Sequence, residues 1–204
     1  MNLFETMRLD NGEMPRLAYH TERIQHASTQ LGIPFVLSQW QQAIQPLCES
    51  YPNGQYRVKV VLEPSGAIHT EISALQKTTA MTARFVPMKR DIPQWQRVYK
   101  TSERNHVAHT HTTQLALFYD ADTDKVLEFD IGNVVLTIED THYTPLYEKD
   151  FLQGCMRRAL LAEQRITEKH LTTTMIKEAL QQGGQLWMIN SLREWVPITL
   201  EHIK

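Results

Sequence analysis

Leu3 to Asp10 is short and apolar-rich and runs into Asn11-Gly12, the dipeptide that most favours a two-residue turn. The pattern therefore predicts an opening hairpin whose return strand covers Met14 to Leu17. In the first strand Phe4, Thr6 and Arg8 share one face and Leu3, Glu5 and Met7 the other, because strand side chains alternate. The more polar first face suits a pocket wall or solvent. Tyr19 to Leu31 has helical spacing, stopped by Gly32 and Pro34. A second helix is predicted from Ser38, where Ser38 and Gln41 match a capping box, to about Glu49, and Tyr51-Pro52-Asn53-Gly54 breaks it. Tyr56 to Leu62 and Ala67 to Leu75 read as strands around Pro64-Ser65-Gly66, with Ala83 to Met88 as a third strand of the same sheet.

Periodicity fades between Pro87 and Tyr99, a stretch that includes Pro93 and reads as a linker. The predicted boundary lies near residue 95, dividing an N-terminal lobe, 1–95, from a C-terminal lobe, 96–204. The second lobe is predicted to contain a helix over Ser102 to Leu117 and strands over Lys125 to Asp130 and Val134 to Ile138. A helix over Phe151 to Glu163, a strand near Arg165 and a helix from Thr173 to Gln182 follow. Strands over Gln185 to Asn190 and Trp195 to Leu200 close the chain. The fold class is α+β.

Composition narrows the function classes. With 204 residues, 42% of them hydrophobic, the chain can bury a real core, and a formal net charge of -2 with no basic stripe argues against nucleic acid as a partner. Cys48 and Cys155 stand far apart, which suits a reducing compartment and a cytoplasmic protein. Charged residues interrupt the N-terminal segment and no window reaches a spanning length, so neither export nor a membrane anchor is expected.

Taken singly, the reactive residues leave their roles open. Lys100 sits where the linker meets the next predicted helix, a place for a solvated lysine or for an amine aimed into a cleft. Glu128 interrupts an apolar strand and faces either solvent or a cationic group inside. His106, His109 and His111 are spaced three and five apart, which does not put them on one side of a helix, and no carboxylate or thiol nearby completes a metal set; they are expected to be solvated, with no metal. The sequence contains no GxSxG, P-loop or GxGxxG motif.

Several segments taken in order resemble the class IV, fold-type IV family of pyridoxal-phosphate enzymes, over most of the chain. Leu3-Phe4-Glu5-Thr6-Met7-Arg8 with Asn11-Gly12 is similar to the family's opening strand, and Tyr19-His20-Thr21-Glu22-Arg23 to the helix whose arginine grips the cofactor phosphate. Tyr99-Lys100-Thr101-Ser102-Glu103-Arg104 resembles the lysine segment. Glu128 to Asn133 resembles the acid followed five residues later by asparagine, and Thr144-Pro145 with Gly154-Cys155-Met156-Arg157 the TP and GxxR block. Asn190-Ser191-Leu192-Arg193-Glu194-Trp195 is close to a string met in aminodeoxychorismate lyases.

The resemblance implies a two-lobed protein, with an N-terminal antiparallel sheet with helices and a C-terminal mixed α/β barrel-like lobe. It implies pyridoxal 5′-phosphate held by Lys100 as a Schiff base, Glu128 at the pyridine nitrogen, and Arg23, the backbone of Cys155 and Met156, and Ser191 around the phosphate, with Asn133 beside them. Phe4, Thr6 and Arg8 would line the substrate pocket, and Lys100 would serve as the proton-transferring amine. Glu103 stands where the family commonly has asparagine, and Met156 where it has threonine. The chain is also shorter than typical members. Implied activities are release of pyruvate from aminodeoxychorismate to leave 4-aminobenzoate, or amino-group exchange on branched-chain or D-amino acids; the departures leave room for a cofactor-binding protein without turnover. The substrate is a small amine or amino acid, and the family usually pairs as a homodimer.

Overall fold

The computed structural model describes residues 1–89 and 91–201. The chain divides into two compact units, one of residues 1–77 with 99–103, the other of 78–98 with 104–204. The expected boundary near residue 95 falls within the second grouping, and residues 99–103 group with the first.

In the first unit, β1 (Leu3–Asp10), β2 (Gln55–Leu62) and β3 (Ile68–Ala74) form an antiparallel sheet in the order β1-β2-β3. Strand β1 alternates buried and half-buried positions along its length. Leu3, Met7 and Leu9 from its buried face meet Val58, Val60 and Leu62 of β2 beneath two helices, α1 (Leu17–Leu31) and α2 (Leu37–Ser50), which contribute Ile24, Ala27, Trp40 and Ile44. The predicted opening hairpin reduces to a single bridge, Asp10 to Glu13. Strand β1 spends its ladder on β2 instead, and the expected return strand becomes the approach to α1. The capping box at Ser38 is not made: α2 starts a residue earlier, at Leu37, with Val36 at its cap and no side-chain cap bond.

The second unit is built on a mixed sheet of eight strands in the order β6-β5-β4-β11-β10-β7-β8-β9. These are β4 (Met81–Pro87), β5 (Leu115–Tyr119), β6 (Val126–Phe129), β7 (Asn133–Ile138), β8 (Thr141–Pro145), β9 (Thr167–Lys169), β10 (Gln185–Asn190) and β11 (Glu194–Leu200). Two corrections concern this sheet. Strand β4 does not extend the first sheet but lies parallel to both β5 and β11. The predicted helix over Ser102 to Leu117 is absent; a short 3-10 turn at Asn105–Val107 leads to β5.

The second correction has its cause in β5, which is covered on two faces and so reads as a continuous apolar run. Leu115 and Leu117 of β5 join a core with Ile176 and Ala179 of α5 (Thr173–Gln181), whereas Ala116 and Phe118 join another with Met88, Val107, Leu127 and Phe151. Likewise Val134 and Leu136 of β7 face the α5 side, while Val135 packs with Ile189 against Met156 and Leu160 of α4 (Cys155–Ala162). A five-residue helix, α3 (Gln94–Val98), precedes the return to the first unit. No helix among the described residues is long and apolar enough to cross a membrane.

Candidate active site

Segment 99–103 lies on the open edge of β1. The Phe4 N–H donates to the Lys100 carbonyl (3.1 Å), Leu3 and Thr101 form an antiparallel bridge, and the Ser102 N–H donates to the Asn2 carbonyl (2.8 Å). Lys100 is thereby set across from Phe4, and its Nζ lies 4.8 Å from the Phe4 ring centroid, within range of a cation–π contact. Thr101 next to it is fully buried, and its hydroxyl accepts from the Glu103 N–H (3.2 Å), closing the turn out of the segment.

Glu5 occupies the core-facing side of β1, among Leu3, Met7 and Leu9, and is 1% exposed. Two residues of α1 come down on it. His20 and Arg23 are three apart and so share a helix face. The His20 Nδ1 lies 2.7 Å from Glu5 Oε2, the Arg23 Nε donates to Oε1 (2.8 Å), and the Arg23 Nη2 donates to Oε2. Burial alone would raise the Glu5 pKa, but the Arg23 guanidinium and the His20 hydrogen bond outweigh it and bring the carboxyl down to about 2. Burial pushes the His20 imidazole down, only partly offset by Glu5, so His20 is the neutral donor and Arg23 the lasting counter-charge. Sequence reasoning singled out Arg23 and missed Glu5 and His20. The available signal was an acid on the apolar side of an alternating strand, followed by a basic pair at helical spacing.

On the other face of β1, Phe4, Thr6 and Arg8 are half-buried. The Arg8 Nε and Nη2 both donate to Asp10 Oδ2 (3.0 and 2.7 Å), so its fork already holds a carboxylate of its own strand.

In the second unit, Glu128 lies in β6 and is 2% exposed. Leu117 pairs with Phe129 and Tyr119 with Val126, so Leu127 and Glu128 together stand opposite Phe118 alone. Such a bulge re-aims side chains out of regular alternation. After the turn, Asn133 ties β7 to the start of α4: its Nδ2 donates to the Leu152 carbonyl and its Oδ1 accepts from the Gly154 N–H, both at 2.8 Å. A Cβ at Gly154 would lie 2.2 Å from that Oδ1, so only glycine lets the carboxamide reach in. The Met156 side chain is committed to the core beside Val135 and Ile189, which leaves its backbone as the part that can serve a ligand.

Ser191, 6% exposed, sits in the β10–β11 turn. Asn190 organises that turn, its Oδ1 accepting from the N–H groups of Leu192 (3.0 Å) and Arg193 (2.7 Å) and its Nδ2 donating to the Ile131 carbonyl (3.1 Å). The arginine of the GxxR block, Arg157, is fully buried, and its donors go to Thr144 Oγ1 (3.3 Å), the Pro145 carbonyl (2.8 Å) and Glu168 (2.5 Å). It locks the TP segment to β9 and is a structural clamp.

The second unit's residues fit a phosphate-bearing cofactor. Helix α4 begins at Gly154 with no side-chain cap, and the first amides of a helix have no intrahelical acceptor and favour an anion. The expectation of solvated helical histidines needs correction: none of the three lies in an α-helix, and His106, in the 3-10 turn, is buried.

The sequence matches the family described as Amino-transferase class IV over residues 2–200. The fold is similar to that of a protein from Mesorhizobium loti provisionally named an amino-acid aminotransferase, with 20% identity, a TM-score of 0.83 and coverage of 98% of this chain and 99% of that one. It is similar also to a protein from Legionella pneumophila provisionally named 4-amino-4-deoxychorismate lyase, with 20% identity, a TM-score of 0.81 and coverage of 99% and 84%. A third, a Mycobacterium tuberculosis protein named a hypothetical aminotransferase and solved in a PLP-bound form, shares 16% identity at a TM-score of 0.80, with coverage of 98% and 81%. No curated protein matches the sequence. With the family matched across nearly the whole length, the chain belongs to the class IV aminotransferases, enzymes that depend on pyridoxal 5′-phosphate.

Proposed function

We propose that the protein is a pyridoxal-phosphate-dependent lyase that releases pyruvate from 4-amino-4-deoxychorismate and leaves 4-aminobenzoate for folate synthesis, working as a cytoplasmic homodimer. When bound, the cofactor supplies the electron sink, and the protein supplies tethering, orientation and charge. Lys100 Nζ would hold the cofactor when it is bound and, as a free amine, would move a proton at the carbon next to the substrate nitrogen. Arg23 meets the phosphate with a guanidinium aimed by Glu5, and the backbone of Cys155 and Met156 with the hydroxyl of Ser191 completes its shell. Glu128, from its bulge in β6, would keep the ring nitrogen protonated. Asn133 holds the loop that presents the α4 amides. Phe4, Thr6 and Arg8 form the substrate side.

The observation that carries the reading is the pairing of the 99–103 segment with the β1 edge, which sets Lys100 beside Phe4, a residue of the strand that also carries Glu5, the anchor of Arg23. The lyase is favoured by the Asn190 to Trp195 string, whose asparagine builds the turn that carries Ser191. Amino-group exchange is the second reading, supported by the likeness to the M. loti protein over almost all of both chains. Pyruvate and 4-aminobenzoate formed from aminodeoxychorismate mark the first, and amino transfer between an amino acid and a keto acid the second.

Lys100→Ala tests the shared core of both. Loss of the proton-transferring amine lowers turnover by about 10²–10⁴-fold or more, and borohydride reduction then fixes no pyridoxyl group on the protein. A pyridoxyl group found on another lysine, or unchanged turnover, would place the chemistry elsewhere.

A further inference from the structure

Beside Glu128, and outside the residues assigned to cofactor and substrate, the second unit holds a second titratable pair. His109 lies in the loop of residues 108–114 that leads into β5, and its side chain is 2% exposed. Its Nδ1 accepts from the His111 N–H at 3.2 Å. An imidazole nitrogen that accepts carries no proton, so the neutral ring has its proton on Nε2. That nitrogen is buried, bonds no other acceptor among the described residues, and stands 3.4 Å from Asp130 Oδ2. His111 presents its N–H from a left-handed backbone, φ 52°, which a residue other than glycine adopts at a cost that the surrounding contacts must offset. Its ring packs on that of His109, the centroids 4.2 Å apart.

The other contacts of Asp130 fix the sheet. Its Oδ1 accepts from the Ala116 N–H at 3.1 Å, its own N–H donates to the Ala116 carbonyl at 3.2 Å, and its carbonyl accepts from the Arg104 Nη2 at 3.2 Å. One step along, Leu117 pairs with Phe129, and directly beyond that pair comes the bulge in which Leu127 and Glu128 stand opposite Phe118. A bulge re-aims its side chains, and the pairing on either side of it fixes where they point. Asp130 therefore clamps the end of β6 next to Glu128, with one carboxylate oxygen on β5 and the other facing His109.

We infer that His109 and Asp130 are positioning residues for Glu128: by pinning β6 to β5 beside the bulge, they set the direction from which Glu128 meets the ring nitrogen of the cofactor. The inference rests on the role proposed for Glu128. The pair itself passes no proton to a ligand, because one imidazole nitrogen accepts from His111 and the other is turned to Asp130.

The test uses the full chain loaded with pyridoxal phosphate that carries an NMR-active nitrogen isotope in its ring, so that the signal distinguishes a protonated ring nitrogen from a free one. Glu128→Gln is expected to shift the signal furthest toward the free form. His109→Leu, which removes the N–H facing Asp130, should raise the ratio of free to protonated nitrogen at a given pH by about tenfold. His109→Gln, whose amide N–H can take the place of Nε2–H, should restore the parent ratio. A purely structural role would lower the urea midpoint of His109→Leu and leave the ring-nitrogen signal where it is in the parent; that outcome overturns the inference, as does a shift in His109→Gln as large as in His109→Leu. An unchanged signal in Glu128→Gln, or a parent chain that takes up no cofactor, overturns the role proposed for Glu128 and the inference with it. If His109→Leu does not fold, Asp130→Asn is held to the same criterion.

Discussion

Arg23 in the first unit and the start of α4 in the second are put in place by different physics. Arg23 is aimed by an ionised, fully buried carboxylate and a neutral imidazole on one face of β1 and α1. The start of α4 is placed by a carboxamide reaching against a bare glycine. An ionic anchor fails when a charge is removed or protonated. A steric anchor is indifferent to charge and fails when a methyl group is added.

The largest effect separating them is expected at Glu5. Glu5→Gln keeps the shape but sets an amide where Arg23 and His20 need a carboxylate, removing the buried negative charge that both contact. Breaking a buried pair on one side costs about 3–5 kcal/mol. Urea unfolding should show that loss, and pyridoxal phosphate should bind more weakly because Arg23 is no longer aimed. A stability within about 0.5 kcal/mol of the parent, the range of ordinary surface changes, would mean that the pair does not anchor the first unit.

A smaller effect belongs to the second unit. In Gly154→Ala the new Cβ would stand 2.2 Å from Asn133 Oδ1, so the carboxamide must retreat or the α4 start must shift. Pyridoxal phosphate affinity should fall about tenfold, close to 1.4 kcal/mol, followed by absorbance titration, while overall stability falls less. Asn133→Ala in the same chain removes the obstacle together with the two bonds it makes. Contacting residues do not add independently, so the double variant should be closer to Asn133→Ala than to the sum of the single changes. Strict additivity would show that the two positions do not act as one device.

How far the sequence revealed these devices depended on range. The first-unit strands, the helix pair and the elements from β7 to β11 other than β8 were legible because local alternation and turn residues match the final pairing, as at Pro64-Ser65-Gly66 between β2 and β3. Leu115 to Tyr119 was not legible: it is apolar on both faces, and one of its two partners is the parallel strand β4, some thirty residues earlier in the chain. Lys100, Arg23 and Glu128 were recognisable as members of short strings. Glu5 and His20 were visible as an acid on an apolar strand face and a basic pair on a helix, but their pairing needs β1 and α1 packed together. The commitment of Arg157 to Thr144, Pro145 and Glu168 is likewise a tertiary fact, hidden behind a motif that looks ligand-directed.

The finest distinction lies in acid. Glu5 has a folded pKa near 2 against 4.5 for the free group, so its contribution is complete above about 4.5 and is lost as pH falls toward 2. His20 and His106 have folded values lowered from 6.5, the latter to about 4, so the unfolded chain binds more protons than the folded one below 6.5. Their contribution is complete above 6.5 and is lost as pH falls through that window. Stability should therefore decline in two stages, first through the histidines of both units and then through Glu5 of the first. Each proton taken up on unfolding contributes about 1.4 kcal/mol per pH unit. His106→Gln should flatten the slope between pH 6 and 5 by up to one such proton and leave the decline below pH 4 intact, whereas Glu5→Gln should flatten the decline below pH 4. Urea midpoints measured across this range in a buffer free of carboxylate and phosphate decide the matter. Slopes identical in the parent and His106→Gln would mean that this imidazole titrates in the folded chain as it does in water.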